Sequence, residues 1–282
     1  MPSQGHPQQH PGANWQGGQG GYVSPIPVRR THLGHALASE WTKIRSVRST
    51  IWTLSALVVL IVGLGMMIAL ALGSERVVAP KLGLSFIGVL LGTLCIIPLG
   101  VLVISSEYGT GMIRTTMTAC PSRGRVLAAK AIVFFGLSFV ITTIATSLVA
   151  LIGSGMLNGP DPTTGEWMRA TVGAGLYVST LGLLALSVGS LLRHSAGAIS
   201  AMLGVVLLPM LLAVFMLGSD SLKSVSQSLI EYSVPNALAS MYGSPFLGTD
   251  SGPQGWTPLL ILAGVTAVVL GGAFAAQSQR DV

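Results

Sequence analysis

The sequence predicts an all-α integral membrane protein of six transmembrane helices, preceded by an interfacial amphipathic helix, with both termini cytoplasmic. Composition carries the first part of that prediction. Half of the 282 residues are hydrophobic and only 9% are charged, against about 25% charged in an ordinary soluble domain. Patterning carries the second part. Six stretches lack Asp, Glu, Lys and Arg altogether, and each holds the roughly 20 apolar residues that cross a bilayer as a helix. Backbone groups cannot stay unpaired in hydrocarbon. These runs also lack the roughly 10-residue alternation of a membrane β-barrel, which leaves helices as the spanning form.

Taken in order, residues 1–31 contain no acidic residue and are rich in Pro, Gly, Gln and His; too few apolar side chains are present to form a core, which predicts a disordered cytoplasmic tail. His6 and His10 lie in it without further ligands at fixed spacing, so no metal site is assigned there. The domain proper is residues 32–282. Over 33–48, Leu33, Ala36, Leu37, Trp41, Ile44 and Val47 fall on one helical arc, with Lys43, Arg45 and Arg48 around it. That is an amphipathic helix suited to the membrane interface. Glu40 projects into the apolar arc. Two readings of it stand: a pair with Lys43 one turn on, or a pair with a basic residue of another segment or subunit.

The spans are placed at about 49–72, 82–105, 131–156, 170–192, 195–217 and 257–276. The opening residues do not read as a cleavable signal peptide, so the first span is expected to act as the targeting signal. Orientation follows from Lys and Arg. Eleven basic residues fall on one side, among them Arg29, Arg30, Lys43, Arg45, Arg48, Arg114, Arg123, Arg125, Lys130, Arg193 and Arg280, against Arg76, Lys81, Arg169 and Lys223 on the other. The richer side is expected to be the cytoplasm. The sequence pI of about 9.8 is then a product of topology and points to anionic lipid headgroups, not nucleic acid. Cys95 falls inside the second span and Cys120 in a reducing loop, so no disulfide is assigned.

Inside the spans, Gly88 and Gly92 form a small-xxx-small pair, and Gly175, Gly182 and Gly189 recur every seven residues on one face. Such faces let helices approach closely, whether within one subunit, between subunits or along a transport path. The outer segment 219–256 is too long to be structureless in a compact protein; it is expected to hold one or two short helices dipping into the outer leaflet, broken near Pro235.

The chemistry of self-sufficient enzymes is missing from the sequence. A phosphate-binding G-x-x-x-x-G-K-[ST] loop is absent, since none of the four lysines follows a glycine. H-E-x-x-H, C-x-x-C and G-x-S-x-G are absent too. His32 and His35 would need at least one more ligand to hold a metal ion. His194, beside Arg193 at a tight turn, suits an interfacial cap. No catalytic, cofactor-binding or metal site is therefore assigned to this chain. The six spans carry no ionisable residue near the midplane, where ion-coupled carriers hold one. A channel or secondary carrier could still use Thr142, Thr143, Ser147, Ser179 and Thr180 as an uncharged path.

What remains is a membrane subunit driven from outside itself, and the 107–130 segment has the right grammar. Glu107 sits at the inner end of the second span; "YGTG" turns the chain. Met112 to Ala119 can form a short helix presenting Met112, Ile113, Thr116 and Met117. Pro121 stops it, and Arg123, Arg125 and Lys130 tie the return to the interface. The series Glu107, Gly109, Thr110, Pro121, Ser122, Arg123 and Lys130 resembles the E-x-x-G-T, P-S-R, K pattern of ABC-2 type transporter permeases. "SEWTKIRSVRSTIWTL" resembles the N-terminal helix of a subgroup common in high-G+C Gram-positive bacteria. The resemblance runs over about 33–280. It implies the transmembrane subunit of an ATP-binding cassette exporter in a bacterial plasma membrane, paired with a second permease copy or a homologous permease and with two cytoplasmic ATPase subunits. Those partners would hold the ATP and Mg. It implies further that the loop forms a coupling helix on the ATPase, with Glu107, Gly109, Thr110, Met112, Ile113, Pro121, Arg123 and Lys130 as coupling candidates, braced by the interfacial helix. Here "TGMIRTTMTA" stands where the wider family has a leucine-rich centre. The alternative from another class is an energy-independent channel or secondary carrier.

Overall fold

The computed structural model describes residues 32–72, 81–119, 122–158, 160–216, 218–243 and 252–279. The predicted tail 1–31 and Pro121 lie outside them, as do the side chains of Met117 and Ala119. Among the described residues there are eleven α-helices: α1 (Leu33–Ser46), α2 (Arg48–Leu72), α3 (Phe86–Gly109), α4 (Met112–Ala119), α5 (Arg123–Met156), α6 (Thr164–Met168), α7 (Ala174–Leu192), α8 (Ser195–Met216), α9 (Lys223–Glu231), α10 (Val234–Met241) and α11 (Thr257–Gln279). A 3-10 turn, Lys81–Ser85, leads into α3, and a π-helical turn, Arg169–Gly173, joins α6 to α7. Six helical segments are long and apolar enough to cross a membrane, which is the architecture of a multi-pass membrane protein.

Two predicted boundaries shift in ways that matter. The interfacial helix stops at Ser46, because Val47 adopts an extended conformation (φ −85°, ψ 109°). Arg48, assigned above to that helix, instead opens α2. The third spanning helix begins at Arg123 and not near 131, so Lys130 belongs to a continuous helix. The segment 219–256 holds α9 and α10. The chain breaks between them at Tyr232 and Ser233, whose hydroxyl accepts from the Asn236 N–H, with Pro235 in the first turn of α10, where its missing N–H costs nothing.

α7 is the central helix, packed against α3, α5, α8 and α11. Of the most apolar part of its span 72% is buried, against 11% for α11, which places α11 on the periphery. Lipid tails are as apolar as the side chains, so close backbone approach and dispersion must hold such a bundle together. The glycines permit that approach. A Cβ on Gly88 would come within 2.7 Å of Ile61 Cα, and one on Gly92 within 2.5 Å of Leu57 Cδ1, both in α2. On α7, Gly175 meets Thr143 of α5, Gly182 meets Ile96 of α3 and Phe134 of α5, and Gly189 meets the backbone of Val101 in α3. All of these contacts lie within one chain. Buried hydroxyls on α7 bond back to their own helix, as Ser179 does to the Gly175 carbonyl at 2.8 Å and Ser187 to that of Leu183 at 2.8 Å. These two buried O–H groups thereby find an acceptor without a partner helix.

Candidate functional site

Four charged side chains from three elements meet at one end of the bundle. Glu40 lies on the face of α1 that also buries Ile44, so the helix packs against α5 and α2 with a carboxylate in its contact surface. Lys43 follows one turn on. Glu107 stands in the last turn of α3, and Lys130 two turns into α5. Lys130 is 1% exposed, Glu107 3% and Glu40 4%; such groups are almost never buried unless paired.

The pairing is a closed ring. The Lys130 ammonium donates to Glu107 Oε1 at 2.6 Å, to Glu40 Oε2 at 2.9 Å and to the Val103 carbonyl at 3.4 Å. Its three N–H donors are thus matched by three acceptors. The Lys43 ammonium donates to Glu40 Oε1 at 2.8 Å and to Glu107 Oε1 at 2.9 Å. Two carboxylates and two ammonium groups alternate around the ring, and their charges cancel. Both readings of Glu40 therefore hold at once, with Lys43 and with a distant basic residue. Glu107 Oε2 is buried and has no hydrogen-bond partner among the described residues. Burial alone would lower the pKa of Lys43; the hydrogen bonds and charges of Glu107 and Glu40 outweigh it and hold the ammonium above its ordinary value.

The ring corrects the role given to Lys130. It does not tie a loop to the membrane interface, because α5 starts seven residues earlier in the chain and carries the lysine inward. Lys130 and Glu107 are both enclosed within the described part of the chain. Arg123 instead donates from Nη1 to the Gln277 carbonyl at 3.3 Å, linking the start of α5 to the end of α11.

Between α3 and α5 the chain turns within "YGTG", as the sequence predicts, and the turn is made at Gly111: its φ of 71° is a left-handed conformation that favours glycine. Thr110 caps α3 by donating from both its N–H and its hydroxyl to the Ser106 carbonyl. In α4, Ile113 is 4% exposed and faces inward, whereas Met112 is 47% exposed. Arg114, Thr115 and Thr118 are exposed beside Met112. Among the described side chains of the short helix, Met112, Arg114, Thr115 and Thr118 are the exposed ones; of the predicted set, Met112 is among them, Ile113 is buried, Thr116 is half-buried and the Met117 side chain lies outside the described residues. Trp41, Arg45 and Arg48 are exposed and take no part in the ring.

Two further residues at this end, Arg193 and Tyr108, meet in a contact that the sequence reading did not foresee. Arg193, at the turn from α7 to α8, sits in a left-handed conformation (φ 53°) and places its guanidinium 5.0 Å from the centre of the Tyr108 ring. Such a cation over an aromatic face is attractive, so the α7–α8 turn is held against the end of α3. Its neighbour His194 caps α8, with Nδ1 accepting from the Gly197 N–H at 3.0 Å. The signal for Tyr108 was its place next to Glu107; nothing local indicated that Arg193 would reach it. Of the residues offered above as an uncharged path, Thr143 lies on α5 against Gly175 of α7, and Thr142 beside it is buried. Among the described residues no group of three or more His, Cys, Asp or Glu side chains is arranged to hold a metal ion.

No protein-family model matches this chain, and no curated protein sequence matches it.

Proposed function

We propose that this chain is the membrane-spanning subunit of an ATP-driven exporter of the ABC-2 type, with its ion ring and α4 on the cytoplasmic side of a bacterial plasma membrane and both termini on that side. A second permease copy and two separate ATPase subunits complete the machine. The chain itself hydrolyses nothing; ATP and Mg belong to the partners. One observation carries the reading: α4 hangs from α3 through the Gly111 turn with an exposed face, and the adjacent end of α3 is locked to α1 and α5 by the Glu40–Lys43–Glu107–Lys130 ring. A push on α4 would reach three membrane elements through bonds that do not yield independently. The ring residues act as the joint, and Met112, Arg114 and Thr115 act as the contact.

The test separates contact from joint. Met112→Glu with Arg114→Glu is expected to abolish ATP-dependent transport and copurification of a Walker-containing subunit, while the unfolding midpoint of the chain stays unchanged. Recovery of the native chain from its own membrane without any such subunit, together with transport insensitive to ATP depletion, would overturn the reading in favour of a channel or secondary carrier.

A further inference from the structure

A pocket of about 340 Å³ opens at the other end of α3. Leu82, Pro160, Pro162, Ala170, Met241 and Tyr242 give it largely apolar walls. Lys81 lies in it and is 6% exposed. A lysine so enclosed ordinarily has a carboxylate enclosed with it, as Lys130 has. Here the ammonium meets Asp161 Oδ1 at 3.2 Å, and the Asp161 side chain is 99% exposed. Among the described residues that is the ion-pair partner of Lys81, and an exposed carboxylate is a weak one because water screens it and its side chain must be ordered to keep the contact. Glu166, the other acidic group lining the pocket, is exposed and forms no ion pair with Lys81: its Oε2 accepts from the Thr163 N–H at 2.7 Å and from the Thr163 hydroxyl at 2.9 Å, which holds the carboxylate in the cap of α6. The wall at Ala170 belongs to the π-helical turn Arg169–Gly173, an irregularity frequent at functional sites. The pocket thus presents one buried cation among largely apolar surfaces, paired among the described residues only with a carboxylate that stands in solvent.

We propose that this pocket binds the anionic headgroup, phosphate or carboxylate, of an amphiphile whose apolar part lies along Leu82, Pro162 and Met241, with Asp161 as the anion that the ligand displaces. The headgroup pairs with the Lys81 ammonium, and the released Asp161 side chain moves into water, where it is already almost wholly exposed. Both a membrane lipid and a soluble amphiphile carry this chemistry.

The experiment uses the full chain in phosphatidylcholine nanodiscs, titrated with monomeric dihexanoyl phosphatidic acid and, as the net-neutral control, dihexanoyl phosphatidylcholine; binding is read by native mass spectrometry and by the unfolding midpoint. A second arm replaces the nanodisc lipid with phosphatidylglycerol and counts lipids retained on transfer to detergent. Saturable binding of the phosphatidic acid but not of the control is expected, weakened at least tenfold in Lys81→Met, preserved within a few-fold in Lys81→Arg, and tightened several-fold in Asp161→Asn. Lys81→Met should fold, since it removes a buried charge and leaves its partner in water; its ligand-free unfolding midpoint checks that. Retention of phosphatidylglycerol that depends on Lys81 assigns the site to lipid, and binding confined to the short-chain probe assigns it to a soluble amphiphile. Equal binding by Lys81→Met and the native chain, weaker binding by Asp161→Asn, or no saturable binding of either anionic probe would overturn the proposal.

Discussion

Replacing Lys130 with methionine keeps the length and packing of the side chain but removes one of the two positive charges from a ring whose charges cancel. Glu40 and Glu107, 4% and 3% exposed, would then share Lys43 alone, whose side chain is 29% exposed. Removing one partner of a buried ion pair costs about 3–5 kcal/mol, because the group left behind cannot regain its water. Lys130 serves two such carboxylates, at 2.9 and 2.6 Å, so the expected loss is about 4–5 kcal/mol, in the upper part of that range. Adding Glu107→Gln to Lys130→Met restores neutrality with the Glu40–Lys43 pair and should recover roughly half of the loss, a coupling that only residues in one network show. The five tryptophans allow both variants to be followed by fluorescence during unfolding in detergent micelles titrated with dodecyl sulfate. A loss under about 1 kcal/mol for Lys130→Met, the value of a surface pair, would refute the reasoning. So would a double variant less stable than the single one.

Three smaller predictions rest on other parts of the structure. Gly88→Val should destabilise by about 1–3 kcal/mol or more in the same titration, because its side chain would meet the backbone of Leu60 and Ile61 in α2; Gly136→Ala, with nothing within 4 Å of the new Cβ, should be neutral or stabilising by up to about 1 kcal/mol. Thr163→Ala removes the reciprocal cap between Thr163 and Glu166 and should cost about 1 kcal/mol, seen as faster amide hydrogen exchange confined to the first turn of α6; unchanged exchange there would contradict the cap. Lys43 holds its proton above the free side-chain value of 10.5, so its contribution is complete below that pH and is lost as pH rises through the higher folded value. The native chain should therefore lose more stability than Lys43→Met does as pH rises above 10.5, and parallel curves for the two would count against the assignment.

Six spans were legible from the apolar runs alone because hydrocarbon imposes a local rule: about 20 consecutive residues must satisfy their backbone within one helix and expose almost no charge. The two short helices of the 219–256 segment followed from similarly local signals, its length and Pro235. The same locality explains the misplaced start of α5. Arg123, Arg125 and Lys130 looked like the edge of a membrane run, yet a helix continues through charges whenever they find partners, and those of Lys130 lie in α1 and α3.

The sequence by itself determined the elements, their apolar faces and the presence of an acidic residue where none belonged, on the inner arc of α1. Only the tertiary structure decided what that residue was for. Glu40, Lys43, Glu107 and Lys130 are spread across three elements, with Glu40 and Lys130 90 positions apart, and no periodicity records that they share a site. The inward turn of Ile113, the reach of Arg193 to Tyr108 and the enclosure of Lys81 were decided in the same way. Charges and aromatic rings act through space over a few ångströms, so their partners are fixed by how helices cross, and the order of residues along the chain carries only one side of each pair.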